Sequence, residues 1–337
     1  MWTRRLWLTS FLLCGFSGCS GDAPAPALPG GSETSSAASP TTEAPQASRG
    51  TIGVSLLTFE NPFFKVIADN IESEGKKQGY DCILLSADND AAKQSNQVKD
   101  FIVSKVAAIV ISPRDARAIV PAIQDANAAG IPVFTVDIPC LEPNVTIVSQ
   151  IATDNLGGGR EAARAIIEAL GESGGKVAIL GFATAQSCIL RVNGFREVID
   201  AHNASATGKV TIVGEYEGGG ARDRSAAAMK DILQSNDGLK AVFAINDPSA
   251  LGARAALEQA GQAEAVIIVG FDGQPEGKQA IKDGKIYADP LQFPDRMGVA
   301  VVQAIVAHSK GKDVPAETLI PTQLYKKADA EQDPSLQ

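Results

Sequence analysis

The chain of 337 residues is short of the residue types on which most enzyme and metal sites depend. It has two histidines, His202 and His308, each in a segment that reads as solvated helix, which argues against a Ser-His-Asp triad and against a histidine metal site. Its five cysteines show no CxxC or other metal-like spacing. Cys14 and Cys19 fall near the N-terminus, leaving Cys82, Cys140 and Cys188 for the folded part. Three cannot all pair internally, Cys82 reads as a buried strand residue among Tyr80, Ile83, Leu84 and Leu85, and no disulfide is expected. Positive charge is scarce too: 30 Lys and Arg against 39 Asp and Glu leave a net charge of -9. That sign opposes the release of counterions from phosphates, so DNA and RNA are not expected partners. Both tryptophans, Trp2 and Trp7, precede the folded part.

What is present begins with a leader. Residues 1–5 are basic, residues 6–16 mostly apolar but too few to span a bilayer, and small residues follow, so 1–18 has the layout of an export signal. Phe16-Ser17-Gly18-Cys19 resembles the bacterial lipobox, which implies lipidation of Cys19. Phe16 stands where Leu is usual, and the alternative is ordinary cleavage near residues 23–27. Residues 19–49 are rich in Pro, Ser and Ala and poor in large apolar side chains, the composition of a disordered tether that lets a domain move away from a membrane surface.

From Thr51 onward, β-rich runs alternate with helical segments. Strands are expected at 51–57, 81–86, 107–112, 132–137, 176–182, 210–215, 241–245, 266–271 and 286–290. Runs such as VAAIVIS and AVIIVGF are continuously apolar, as parallel strands covered on both faces require. The pattern predicts a doubly wound α/β fold. Residues 108–137 and 241–272 repeat one unit of strand, Pro-containing turn, helix, Ala-Gly stop, strand and terminal Asp, which implies two similar lobes. Ligands of such sheets bind outside the carboxyl ends of the strands, and Asn61, Asp137, Asn246 and Asp272 all sit there. Asn61-Pro62 and Asp247-Pro248 also read as helix caps followed by Pro at the first helical position. Capping does not explain Phe63 and Phe64. Successive helical positions lie about 100° apart, so at least one of these rings is expected to face a cleft rather than the core.

Taken together, NPFF, TVD ending at Asp137, ATDN at Asp154-Asn155, FAINDPSALGA, VGFDGQPEG and LQFPDRMG are similar to the motifs of ribose-binding-type periplasmic solute-binding proteins, over residues 51 to about 327. The resemblance implies the type I periplasmic binding protein fold, with lobes of residues 50–152 plus 293–318 and 153–292 plus 319–328 joined by three crossovers. It further implies a monomeric, exported, membrane-anchored binding protein without cofactor, metal or catalytic activity. Such a protein captures a monosaccharide and delivers it to the membrane permease subunits of an ABC importer. The binding residues that it implies are Asn61, Phe63, Phe64, Asp137, Arg191, Asn246, Asp272 and Gln292.

That set suits a sugar on chemical grounds. Carboxylates accept, guanidinium donates, amides do both, and aromatic faces cover C–H surfaces. Taken singly, each has a plainer role: Asp137 and Asp272 as turn caps, Arg191 as a surface cation, Gln292 as a solvated loop residue. The chain departs from the ribose pattern at Ile138, where Arg is common, at Leu57, where a small polar residue is common, and near Gly220, where a third aromatic falls. These changes imply a roomier, less polar pocket and alter which sugar fits, so the expected ligand is a ribose-like pentose or a related sugar, not ribose by default.

Rival readings have weaker support. Residues 171–175, GESGG, match G-x-S-x-G formally, but a helix precedes and a strand follows, the reverse of a nucleophile elbow. The glycine run after Asn155 lacks the Lys-Ser/Thr of a P-loop and reads as a tight helix start packed on the sheet. A sugar-responsive repressor would carry a basic helix-turn-helix where this chain has its leader. A sensor presenting its ligand to a membrane receptor would share the same fold and pocket, and stays open.

Overall fold

Alternating strands and helices build two six-stranded sheets in the computed structural model, which describes residues 48–336. The expected export signal, Cys19 and all but the last two residues of the expected tether lie outside the described residues. Those last two already belong to the fold: Arg49 donates its N–H to the Gly79 carbonyl at 2.7 Å and lays its guanidinium over the Tyr80 ring.

The first half runs β1 (Thr51–Leu56), α1 (Pro62–Lys77), β2 (Asp81–Ser86), α2 (Ala91–Val103), β3 (Ala108–Ile111), α3 (Val120–Ala128), β4 (Val133–Val136) and β5 (Ser149–Thr153). It continues with α4 (Asn155–Leu170), β6 (Gly175–Gly181), α5 (Gln186–Ser205), β7 (Val210–Glu217), α6 (Arg222–Ser235), β8 (Leu239–Ala244), α7 (Asp247–Gln259) and β9 (Ile267–Val269). The last part is α8 (Pro275–Lys282), β10 (Ala288–Leu291), α9 (Pro294–Ser309), β11 (Glu317–Ile320), β12 (Gln323–Lys326) and α10 (Lys327–Gln332).

The first sheet has the order β11-β5-β4-β3-β1-β2 and is parallel throughout. The second has the order β12-β10-β9-β8-β6-β7 and is parallel except where β12 meets β10. All nine expected strands form. Three more, β5, β11 and β12, were not marked by apolar runs, because SQIAT, ETLI and QLYK mix polar and apolar residues. These three flank the crossovers. The chain leaves the first sheet after β5, returns after β10 and crosses finally between β11 and β12.

Helices cover both faces of each sheet, so β3 and β4 are buried at every position. Cys82, expected to be buried, is only half-buried, because β2 is an edge strand with incomplete cover. The repeated units match in detail. In each, the Asp after the second strand donates its N–H to the neighbouring strand, Asp137 to Ile151 and Asp272 to Pro290, and then turns with positive φ, 64° and 105°. Left-handed backbone costs a residue with a side chain on the order of 1 kcal/mol or more, and Asp tolerates it better than most. The fold bears this cost twice at the same place, where both carboxylates turn into one cleft.

Candidate functional site

Between the lobes lies a cleft of about 690 Å³, and all eight residues singled out for binding line it. On the first lobe, Asn61 caps α1 by accepting the Phe63 N–H at 3.0 Å, with Pro62 opening the helix. Phe63 and Phe64 follow within the first turn. Their rings meet edge to face, 5.4 Å apart, and both line the cleft while their inner faces join the core. At least one ring was expected in the cleft. Two are there, because the cleft runs across the N-terminus of α1 and takes in both positions.

Asp137 is buried beside Ile138, and its Oδ1 has no hydrogen-bond partner. Burial pushes its carboxyl up to about 7, against the pull of Arg191 and with a further push from Asp272. An orphaned buried acceptor facing a cleft favours a ligand that donates to it.

The second lobe is organised around Arg191, a buried side chain on α5 and not a surface cation. Its Nε donates to Asn155 Oδ1 at 2.8 Å, and its Nη1 to the Ile245 carbonyl at 2.6 Å and to Asp272 Oδ1 at 3.1 Å. Its plane lies 3.9 Å over the Phe271 ring. Asp272 also accepts from Gln292 Nε2 and, on its other oxygen, from Gln274 Nε2. Burial raises its carboxyl, while Arg191, Gln292 and Gln274 pull it back. Gln292 is buried rather than solvated. It accepts the Thr153 hydroxyl at 2.6 Å, so one amide ties the second crossover to the first and to the site carboxylate.

Asn246, which lines the cleft, takes the capping role expected of Asp247. Asn246 is the cap of α7, accepting the Ser249 N–H at 3.0 Å and donating to the Gly220 carbonyl. Asp247 is the first helical residue, with Pro248 second, a position that also needs no N–H. It is buried, takes the Gln274 N–H at 2.6 Å, and is pushed well above the usual carboxylate range by burial and by the neighbouring Asp289.

The glycine run after Asn155 serves packing. A Cβ on Gly159 would lie 2.0 Å from the Arg191 carbonyl, so the missing side chain lets α4 sit directly on α5 and helps to place Arg191. Gly158 faces Phe271, as the expected sheet contact requires, but the tighter approach is to the helix. GESGG forms a short turn between α4 and β6, with no strand before it. His202 and His308 lie on α5 and α9, and neither lines the cleft. Among the described residues no group of three or more His, Cys, Asp or Glu is placed to hold a metal ion, and no helix is long and apolar enough to cross a membrane. Cys82, Cys140 and Cys188 are free thiols. Cys188 faces the cleft with its thiol pushed up to about 11 by burial, and Ser187 is its one hydrogen-bonding neighbour among the described residues, so no base activates it.

Among the lining or supporting residues that sequence reasoning missed are Gln274, Glu276, Arg114, Phe182 and Asn155, the last of which orients Arg191. Asn155 lay within the quoted ATDN motif, which was the signal available. Leu57, Ile138 and Gly220, the three departures, all face the cleft.

The model of the periplasmic binding protein domain matches residues 52–313. The chain belongs to this family. Among its relatives in the family, the ribose import binding protein of Salmonella typhimurium is 35% identical over 281 residues, 83% of this chain and 92% of that protein. The D-apiose import binding protein of Paraburkholderia graminis is 37% identical over 278 residues, 80% and 85% of the two chains. An ABC transporter solute-binding protein of Mycobacterium smegmatis, solved with bound glycerol, superposes with a TM-score of 0.77 at 32% identity, covering 84% of this chain and 96% of that one.

Proposed function

We propose that this chain is the substrate-binding subunit of an ABC sugar importer, holding a monosaccharide between its lobes and carrying out no catalysis. The observation that carries the reading is the pairing across one cleft of an orphaned acceptor, Asp137 Oδ1, with the hydrogen-bonded set of Arg191, Asp272 and Gln292, beside two aromatic rings. A polyol donates to the first, exchanges hydrogen bonds with the second and lays its C–H face on the third. Asn61 and Asn246 complete the set, although both side-chain oxygens already serve as caps. Relatives named for the import of ribose and apiose, and a neighbour that held glycerol, support the class.

The mechanism follows from where the groups sit. Asp137 is on the first lobe and Arg191 and Asp272 on the second, so a bridging sugar binds the closed arrangement better than an open one and shifts the equilibrium by that difference. Periplasmic binding proteins are themselves a standard case of such hinge closure. The permease then recognises the closed form, and ATP hydrolysis on another subunit drives transport. Export as a monomer with a lipid on Cys19 and a tether up to the fold completes the proposal, with lobes bounded near residues 152, 292 and 318.

The test is a thermal-shift panel of D-ribose, D-apiose, L-arabinose, D-xylose, D-glucose, D-galactose, 2-deoxy-D-ribose, myo-inositol and glycerol. A sugar at a hundred times its Kd adds about 2.7 kcal/mol and should raise Tm by about 5 °C or more. No response to any member would remove the sugar reading.

A further inference from the structure

The second lobe has an aromatic wall of its own that no motif in the sequence marks. Phe182 follows β6, is 7% exposed and lines the cleft. Its ring lies 3.3 Å from where a Cβ on Gly220 would stand, and Gly219 and Gly220 both have positive φ. The turn at 219–220 therefore carries no side chain, and Phe182 stands against the gap it leaves.

A cation from the opposite lobe closes over this ring. The Arg114 guanidinium lies 5.0 Å from the Phe182 centroid, and its Nη1 donates to Thr184 Oγ1 at 2.8 Å. Arg114 is anchored on its own lobe: its backbone N–H goes to the buried Gln94 at 2.8 Å and its Nε to the Asn89 carbonyl at 3.1 Å. A fixed base on one lobe thus holds a side chain that touches both a ring and a hydroxyl on the other.

Resting on the sugar reading above, we propose that Phe182 is the second-lobe wall against which the sugar packs, and that Arg114 is the latch that clamps this wall as the lobes close. The latch contacts exist only while the lobes are near, so they stabilise the closed form alone. A sugar packed on Phe182 stabilises the same form, and the two effects reinforce each other. Phe63 and Phe64 supply apolar surface from the first lobe, so the ligand meets aromatic faces from both. A bulky side chain at 220 would meet Phe182, which makes the glycine turn part of the same arrangement.

Phe182 also touches the core, so the test separates packing from binding. Phe182→Leu keeps an apolar side chain and removes the flat face, and Arg114→Met keeps the stem and removes the charge. Each is titrated by calorimetry with the panel sugar that raises the wild-type Tm most, alongside Tm without sugar. Phe182→Leu should weaken binding about five- to tenfold and Arg114→Met about two- to fivefold. In the double variant the losses should be smaller than their product, because the latch has lost its ring. Unchanged affinity in Phe182→Leu, with or without a lower Tm, marks a core role and overturns the inference while the sugar reading stands, as do losses that multiply. Failure of the wild type to bind any panel sugar overturns both.

Discussion

The second-lobe wall of the cleft holds its buried polar groups in a hydrogen-bonded circuit, whereas the first-lobe wall sets the buried Asp137 carboxylate beside apolar side chains and outside any such circuit. Arg191, Asp272, Asn155, Gln274 and Gln292 bond to one another, so contacts within the protein set their geometry. Leu57, Phe63, Phe64 and Ile138 face them across the cleft, with Asp137 left short of a partner on one oxygen. The difference assigns the two lobes different work. On the proposed sugar reading, the second is a preorganised receptor for a pattern of hydroxyls. On the same reading, the first carries a cost of desolvation that a bound donor relieves, which gives the ligand a reason to draw it inward.

The largest effect should come from opening the circuit. Asp272→Ala leaves Arg191 as a buried cation without its counter-charge and removes an acceptor from Gln292 and Gln274. Affinity for the best panel sugar should fall by about a hundredfold, and by no less than about tenfold, with a clear loss of Tm, since an unpaired buried charge costs on the order of 3 kcal/mol or more. Calorimetry showing unchanged affinity would take Asp272 out of the site.

On the opposite wall the test is one of pH. Burial holds the Asp137 carboxyl at about 7, above its ordinary value near 4. The folded form therefore keeps a proton that the unfolded chain loses, so this group's contribution to stability declines as pH rises from about 4 to about 7. A sugar hydroxyl donates best to the ionised carboxylate, so binding should strengthen several-fold between about pH 6 and pH 8. Asp137→Asn should flatten that rise, weaken binding about five- to tenfold at pH 8, and raise the unliganded Tm at pH 8. A pH profile in the variant that still follows the wild type would assign the titration to another buried carboxyl raised by burial, Asp272 or Asp247 in the cleft or Asp289 behind it.

How far the sequence reveals this contrast depends on how local each signal is. Asp137 and Asp272 stand out because a lone polar residue ends an apolar strand, and the period of the strand places it at the cleft edge. The buried strands of both sheets are legible for the same reason. β5, β11 and β12 are not, since their residues take strand geometry from the neighbours they pair with. Asn-Asp-Pro at 246–248 offers two caps and two allowed positions for the proline, and local chemistry alone does not choose between them. Phe182, Arg114 and Asn155 meet their partners only after the helices dock and the lobes approach, so nothing near them in the chain announces their roles. The polar circuit is legible at its aspartates and silent in its supports.

The smallest expected effect tests whether the rings of the first wall act as a surface for the ligand or as core. Phe63 and Phe64 are each 4% exposed, so alanine at either would cost about 3 kcal/mol in packing and obscure the answer. Leucine keeps most of the buried volume and loses the flat face. Phe64→Leu and Phe63→Leu should each reduce affinity about two- to fivefold, with Tm changed by a few degrees at most. If one variant binds as the wild type does while its Tm drops, that ring belongs to the core and the other alone faces the sugar, which is the arrangement that helical spacing by itself would allow. If both lose affinity, the N-terminal turn of α1 spends two adjacent positions on the ligand. The apolar wall is then matched to the C–H face of the sugar as closely as the opposite wall is to its hydroxyls.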